Sequence, residues 1–221
     1  MIILPNRLPR RTFLSEVIAL GTAAYFVPGV YAQELTRTPD QTEGPFYPDR
    51  LPLDTDNDLI VINNSVTPAV GQITHFSGRV RDARGNPVRN ALVEIWQVDN
   101  NAAYLHTRSG NRERRDANFQ GFGRFLTGVN GEYYFRTIKP VPYPGRTPHI
   151  HVAVKIRGRD PFNTQCYIRG HEGNARDGVL QGVRDERARE SLIVDFTPVP
   201  MSRTNELAAR FEIVLGFTPE A

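Results

Sequence analysis

The chain has 221 residues, of which 39% are hydrophobic and 23% charged, so it can form a large globular domain and is not a disordered or fibrous protein. A single cysteine, Cys166, excludes an internal disulfide and any cysteine-rich zinc or iron–sulfur site. The formal net charge of +3 comes from 27 basic and 24 acidic residues, a near balance that argues against a nucleic-acid-binding surface.

The N-terminal segment, residues 1–32, has the pattern of an export signal. A basic start is followed by an apolar run and by Ala32, a small residue after which a signal peptidase could cut. The stretch Arg10-Arg11-Thr12-Phe13-Leu14 resembles a twin-arginine signal. The alternative is an N-terminal membrane anchor, although the apolar run is short for a bilayer span of ~20 residues. We therefore expect cleavage after Ala32, and a periplasmic or secreted protein that is not attached to a membrane after cleavage.

Short β-strands separated by turns are predicted for most of the remaining chain. Alternation predicts strands over residues 73–81 and 91–98, the turn dipeptide Asn130-Gly131 predicts a strand over 132–138, and β-rich runs between turn signals predict strands over 149–156, 164–169, 192–196 and 211–215. Helical character is confined to residues 184–190. The sequence thus predicts an all-β fold, an antiparallel β-sandwich with few short helices over residues 71–221. The Pro- and Asp-rich residues 33–70 are predicted to form an extended N-terminal arm on this sandwich.

The strand predicted over residues 149–156 carries two histidines on one face. Side chains alternate along a strand, so Ile150 and Val152 point into the core while His149 and His151 project together from the other face. This spacing allows both imidazoles to reach one metal ion. The alternative is two histidines on a solvated face, and the pair alone does not decide between them. A cupin-type site lacks its glutamate here, and a zinc site would need further Cys, His or carboxylate ligands.

Two tyrosines are candidates for the missing ligands. Tyr143 lies between Pro142 and Pro144, which stiffen its loop, and Tyr104 follows the strand predicted over 91–98. A phenol ordinarily ionises near pH ~10, but a bound trivalent cation can hold it as phenolate, a hard ligand that favours ferric iron. The alternative for each tyrosine is a half-buried aromatic ring with its hydroxyl at the surface.

Six short motifs follow one another in the sequence, and their order carries more information than any one of them. They are Thr42-Glu43-Gly44-Pro45-Phe46-Tyr47, Glu94-Ile95-Trp96-Gln97, Tyr104-Leu105-His106, Phe135-Arg136-Thr137-Ile138-Lys139-Pro140, Tyr143-Pro144 and Arg146-Thr147-Pro148-His149-Ile150-His151. In this order the chain resembles the intradiol ring-cleavage dioxygenases, most closely the core of the protocatechuate 3,4-dioxygenase subunits. The resemblance extends from residue 42 to about residue 196.

The resemblance implies a non-haem Fe(III) site held by side chains of this chain. The four implied ligands are Tyr104, Tyr143, His149 and His151. Tyr143 matches the tyrosine that leaves the iron when a catechol binds and then acts as a base, whereas Tyr104 matches the tyrosine that stays.

Five further residues match positions around the substrate of this family. Arg146 matches the arginine near the reacting carbons, where a fixed positive charge can stabilise negative charge on the ring. Gln165 matches a glutamine of the same pocket. Gly44, Pro45 and Tyr47 match pocket-lining positions, although an arm that packs on the sandwich would need the same residues.

The implied activity is the opening of a catechol-type ring by O2, with both oxygen atoms incorporated into a muconate-type diacid. The ring could be that of protocatechuate, catechol or a hydroxyquinol-like compound. Arg146 follows Tyr143 by three residues where longer inserts occur in the family, and Gly145 stands where protocatechuate enzymes often have tryptophan. Both departures suggest a more open pocket. After cleavage too little chain precedes the core for the helical dimerisation region of the catechol-specific branch, which disfavours that branch.

Two other functions remain open from the sequence: an exported β-sandwich binding module, and an intradiol-like protein with altered activity. Segments like residues 78–88 recur in non-catalytic sandwiches that resemble prealbumin, but a binding module has no need of the four implied ligands. As partners we expect a small catechol and O2, and no nucleic acid. The resemblance allows a homo- or hetero-oligomer and fixes no stoichiometry.

Overall fold

Two five-stranded β-sheets share one hydrophobic core in the computed structural model, which describes residues 35–63 and 65–219. The first sheet contains β1 (Ile73–Arg81), β4 (Glu132–Ile138), β8 (Phe196–Pro198), β9 (Leu207–Arg210) and β10 (Ile213–Val214). The second sheet contains β2 (Leu92–Trp96), β3 (Phe122–Leu126), β5 (His149–Lys155), β6 (Phe162–Ile168) and β7 (Ile193–Val194). The twin-arginine signal predicted for residues 1–32 lies outside the described residues.

The predicted all-β sandwich is confirmed, and its sheets are mixed, with antiparallel and parallel strand pairs. In the first sheet β1 pairs antiparallel with β4 and parallel with β9 and β10. The second sheet has the order β3-β2-β5-β6-β7, and its pairs are antiparallel except for β6 with β7. β7 reaches its parallel position beside β6 after the connection from Ile168 to Ile193, whereas β9 follows β8 antiparallel and places its other edge parallel to β1.

The core lies between the sheets, and both faces of β5 are buried. Ile150 and Val152 are fully buried in the main cluster, as their alternation predicts. His149 and His151 on the opposite face are only 2% exposed. A second, smaller apolar cluster lies on that side of the sheet; it contains Trp96, Val98, Tyr104, Phe122 and Ala153. The solvated-face alternative for the two histidines is therefore wrong.

Helical segments are short throughout residues 35–63 and 65–219. They are α1 (Gly178–Gln181), α2 (Glu186–Glu190) and two 3-10 turns, Arg112–Arg114 and Glu172–Arg176. None of the helices in this part of the chain is long and apolar enough to cross a bilayer. The helical character predicted for residues 184–190 corresponds to α2, whereas α1, β3 and β9 were not predicted.

The segment before β1 runs across strands of both sheets. The backbone N–H of Thr38 donates to a carbonyl of β10 at 3.0 Å, and that of Gln41 donates to a carbonyl of β6 at 2.8 Å. The N–H of Leu59 donates to a carbonyl of β4 at 2.8 Å. Leu59 and Ile60 are fully buried in the main core. The predicted domain boundaries, at residues 32 and 70, stay predictions.

Candidate metal centre

Polar atoms of four side chains converge beside β5, and they belong to the four implied ligands. The Nε2 atoms of His149 and His151 are 3.1 Å apart. The Tyr104 hydroxyl oxygen lies 3.3 Å from Nε2 of His149 and 3.1 Å from Nε2 of His151. The Tyr143 hydroxyl lies 3.4 Å from that of Tyr104. The structure thus brings together four side chains that are up to 47 residues apart in the sequence.

The two histidines are oriented by different means. Nδ1 of His149 lies 2.7 Å from the carbonyl oxygen of Thr147, so this nitrogen carries the proton and Nε2 offers a lone pair to the cluster. His151 instead stacks on Trp96, with ring centroids 4.8 Å apart and planes at 10°. A Cβ on Gly44, whose φ is +76°, would lie 3.3 Å from Cε1 of His151, so the arm also packs closely on this ring.

Burial keeps both imidazoles in the form that binds metals. Desolvation, aided by the charge of Arg146, lowers the pKa of His149 to about 4. Desolvation also lowers the pKa of His151 well below its usual value, with further contributions from His149 and Arg146. Both rings are therefore neutral near pH 7, as ligation requires.

The two tyrosines differ in how firmly they are held. Tyr104 is 2% exposed, stacks on Phe46 with centroids 5.0 Å apart, and its backbone N–H donates to Oγ of Ser109 at 2.7 Å. Tyr143 is half-buried in a turn closed by the N–H of Arg146, which donates to the Tyr143 carbonyl at 2.9 Å. Burial, with Tyr143 beside it, raises the pKa of Tyr104 well above its usual value.

The donor set fits a hard, highly charged cation. Two neutral imidazole nitrogens and two phenol oxygens crowd together, and a cation would satisfy the Nε2 lone pair of His149 and favour the phenolate forms. Within the part of the chain that the structure describes, no group of three or more His, Cys, Asp or Glu is placed to hold a metal ion. Beyond the two imidazoles, the side-chain donors at this position are the two phenol oxygens.

A charged network borders the cluster on the side of Tyr143. The guanidinium of Arg146 donates to the Tyr143 hydroxyl at 3.4 Å, to Oε1 of Gln165 at 2.5 Å and to Oδ2 of Asp177 at 2.8 Å. Burial alone would lower the pKa of Arg146, but the hydrogen bond and charge of Asp177 outweigh it and raise the pKa. Arg146 thus keeps a permanent positive charge next to a candidate ligand.

Comparison with known proteins identifies the family. The family model described as "Dioxygenase" matches residues 42–216. The protocatechuate 3,4-dioxygenase beta chain of Burkholderia cepacia is 36% identical over 173 residues, which cover 74% of this chain and 72% of that protein. The chain belongs to the intradiol ring-cleavage dioxygenases. It is therefore an oxygenase enzyme, which excludes the binding-module alternative.

Other proteins similar to this chain are also named as dioxygenases. The hydroxyquinol 1,2-dioxygenase of Nocardioides simplex is 31% identical over 175 residues, which cover 67% of this chain and 56% of that protein. The dioxygenase domain of a dioxygenase–carbohydrate-binding protein fusion from Streptomyces sp. SirexAA-E has a TM-score of 0.63 at 31% identity, covering 82% and 99% of the two chains. The 3-chlorocatechol 1,2-dioxygenase of Rhodococcus opacus 1CP, at 18% identity and a TM-score of 0.64 over 95% and 88% of the two chains, shares the fold.

The dioxygenase has a cavity of about 340 Å³ next to Tyr143 and Arg146. It lies between the loop that carries these residues and the segment that ends at Asp177. Gly145 lines it with a φ of +81°, and a Cβ there would meet no atom within 4 Å. The cavity is thus open where a tryptophan would otherwise stand.

The three residues predicted to line the substrate pocket do not line this cavity. Gly44 packs on His151, and Pro45 begins the turn that leads to Tyr47. The Tyr47 hydroxyl donates to Oε2 of Glu94 at 2.8 Å. Burial and the Glu94 carboxylate raise the pKa of Tyr47, so its phenol stays protonated inside the sheet network.

Asp177, which hydrogen-bonds to Arg146 beside the cavity, was not among the residues indicated by the sequence. The segment Asp177-Gly178-Val179-Leu180 has an aspartate directly before a helix, which is an N-cap signal, and the carboxylate accepts the N–H groups of Val179 and Leu180. Its hydrogen bond with Arg146 joins residues 31 positions apart and has no signal in a single sequence.

Proposed function

We propose that this dioxygenase binds Fe(III) and opens the ring of a catechol-type substrate with O2, between the hydroxyl-bearing carbons, to give a muconate-type diacid. The proposed ligands are Tyr104, Tyr143, His149 and His151. The observation that carries the proposal is the convergence of their hydroxyl and Nε2 atoms at 3.1–3.4 Å, with both imidazoles neutral. When bound, Fe(III) supplies a Lewis acid that makes a deprotonated catechol ring reactive toward O2.

Tyr143 is the proposed base. It is half-buried, it lines the cavity, and it is held by a short loop, so its phenolate oxygen can accept a proton from an incoming catechol hydroxyl. Tyr104 is buried and stacked on Phe46, which supports a role as the ligand that stays.

Arg146 and Gln165 are proposed to act on the reacting ring. Arg146 carries a fixed charge 3.4 Å from the Tyr143 hydroxyl, where it can stabilise negative charge that develops as O2 attacks. The Gln165 side chain donates to the carbonyl of Thr42 at 3.2 Å and accepts from the Tyr167 hydroxyl at 3.0 Å. These bonds fix its amide so that Oε1 faces Arg146.

The substrate is proposed to be protocatechuate, catechol or a hydroxyquinol-like ring, entering through the cavity beside Tyr143. Its volume of about 340 Å³ lies in the ~300–1,000 Å³ range of small-molecule sites, and Gly145 leaves room for ring substituents. Gly44 and Pro45 are proposed to border the ring from the side of His151. Tyr47, two residues after Pro45, packs edge-to-face on Trp96 with ring centroids 5.1 Å apart, and we propose that this contact holds Gly44 and Pro45 in place.

Export and assembly are further parts of the proposal. The twin-arginine pattern in residues 1–32 supports a periplasmic or secreted enzyme that is free of the membrane after cleavage. The relative from Burkholderia cepacia is named as a beta chain, which supports a homo- or hetero-oligomer. Detection of the mature N-terminus at Gln33 in culture fluid or periplasm tests the export.

Colour tests the iron proposal. Protein loaded with Fe(III) should be wine-red from tyrosinate-to-iron charge transfer, and Tyr104→Phe should shift that band. Tyr134→Phe, at an exposed tyrosine of β4 bound to His75, is the matched control and should leave the colour unchanged. A colourless protein that holds no iron would contradict the proposal.

Oxygen uptake tests the substrate. The red protein should consume O2 with protocatechuate, catechol or hydroxyquinol and release a diacid. A red protein that is inert toward all of them would favour an intradiol-like protein with altered activity.

A further inference from the structure

Asp177 presents a buried carboxylate that is bound on both oxygens. The residue is 1% exposed. Its Oδ1 accepts the N–H groups of Val179 at 3.1 Å and Leu180 at 3.0 Å, which caps α1. Its Oδ2 accepts Nε–H of Arg146 at 2.8 Å and the N–H of Thr147 at 3.0 Å. One side chain therefore joins α1 to the loop that leads into β5.

Capping α1 does not explain why this residue is charged. Asparagine and serine cap helices about as well as aspartate, and α1 has only four residues. A buried carboxylate is unfavourable unless a cation compensates it. The cation here is Arg146, whose side chain is only 17% exposed.

Arg146 needs a fixed partner because it borders an open space. Arg146 lines the cavity together with Tyr143, and its other donors reach Oε1 of Gln165 at 2.5 Å and the Tyr143 hydroxyl at 3.4 Å. A long side chain next to such a cavity has several rotamers that would turn it away from the cluster. The Nε bond to Asp177 restricts these rotamers and sets the guanidinium plane.

We propose that Asp177 is a positioning residue that holds the Arg146 guanidinium against Gln165 and Tyr143 and thereby increases the rate of ring opening. The inference rests on the proposed function. It assigns no contact with the substrate to Asp177, which acts through Arg146.

The variant Asp177→Asn tests the negative charge of this side chain separately from its capping of α1. Asparagine keeps the volume and a capping oxygen, but it turns an NH2 group toward two donors, Nε of Arg146 and the N–H of Thr147. The matched control is Asp185→Asn, because Asp185 caps α2 in the same way, accepting from Ala188 N–H at 2.8 Å, and has no contact with Arg146. Asp177→Ser, which also keeps a capping oxygen, is a second variant in case Asp177→Asn does not fold.

We expect Asp177→Asn to lower kcat of the iron-loaded enzyme by about 10- to 100-fold, the usual loss when an outer partner of a site is removed, with little change in KM. Asp185→Asn should stay within about twofold of the wild type. In an Arg146→Gln background, Asp177→Asn should cause no further loss. An unchanged kcat, or an equal loss in both backgrounds, would overturn the inference.

A structural measurement keeps this inference separate from the proposed function. In a crystal structure of iron-loaded Asp177→Asn, the hydrogen bond from Arg146 to Gln165 should be broken, whereas Asp185→Asn should retain it. An intact Arg146–Gln165 hydrogen bond in Asp177→Asn would refute the positioning role even if no catechol is turned over. If the wild-type protein is inert toward catechols but this hydrogen bond is broken in Asp177→Asn, only the proposed function is refuted.

Discussion

The two faces of β5 are both buried, but for opposite purposes. One face places Ile150 and Val152 between the sheets, where packing alone determines which side chains fit. The other carries His149, beside Tyr143, and His151, stacked on Trp96; burial there removes the charge of both imidazoles and leaves their Nε2 atoms 3.1 Å apart. Burial on the first face thus stabilises the fold, whereas burial on the second keeps both imidazoles neutral, the form that the proposed metal site requires.

The largest expected effect on iron binding follows from removing a proposed ligand from the face of β5 that carries His149 and His151. His149→Ala should abolish the red colour and ring opening, and should weaken iron binding by more than the ~100-fold that loss of an outer partner costs. The free energy of unfolding of the iron-free protein should change less than it does in the core variant described next. Iron titration and chemical denaturation measure the two effects. His75→Ala, at a histidine of β1 paired with Glu206, is the control and should keep iron and colour.

A substitution on the face of β5 that points between the sheets should lower stability and leave iron binding unchanged. Ile150→Ala removes a fully buried side chain and should lower the free energy of unfolding of the iron-free protein by about 2–5 kcal/mol. The folded variant should still turn red with Fe(III), because no ligand has changed. Denaturation in urea and absorption at low temperature measure both quantities. A stable but colourless Ile150→Ala would contradict the separation of the faces.

A smaller effect is expected where the second cluster supports a ligand. Trp96→Leu removes the ring on which His151 stacks, and iron should be lost to a chelator about 10-fold faster. Phe122→Leu, in the same cluster but not stacked on a ligand, should destabilise the protein without this change in the rate of iron loss. Equal rates of iron loss in the two variants would show that His151 needs only general packing.

The smallest effect is expected at Cys166, which pairs with Ile150 across β5 and β6. Burial raises the pKa of its thiol far above neutrality, so the native protein should not react with a thiol reagent, with or without iron. Unfolded protein should react at one thiol. Labelling of the native, iron-free protein would show that the core face opens when the metal is absent.

The sequence predicted best those elements whose pattern is local and strong. The strands at 73–81 and 132–138 form at their predicted bounds as β1 and β4, and more and less buried positions alternate along most of each. β9 was missed because Leu207–Arg210 is short and contains two alanines, so its strand depends on pairing with β1 and β8. β3 was missed because Gly123 interrupts its pattern.

For the site, too, the sequence predicts what depends on local spacing and does not predict what depends on the pairing of distant segments. Two histidines two residues apart must share a strand face, so their convergence follows from local geometry. The tyrosines are 39 residues apart, and their meeting depends on how β2 and β5 pair. The chemistry of phenolates makes them candidate ligands, but only the family resemblance places them at one metal. Asp177 lies 31 residues beyond Arg146, and a pairing of this kind leaves no pattern in one sequence.

The pairing of β1 with β9 and β10 also determines the order in which the protein can fold. The strands from β2 to β6 pair with near neighbours in the chain, and so do β1 and β4, whereas two further partners of β1, β9 and β10, come more than a hundred residues later. The backbone of Val214 even binds the Thr38 hydroxyl, 176 residues earlier in the chain. Because long-range pairings form slowly, we expect the β1–β4 pair and the strands from β2 to β6 to assemble first on a nascent chain, and the first sheet to be completed only once β9 and β10 have been synthesised.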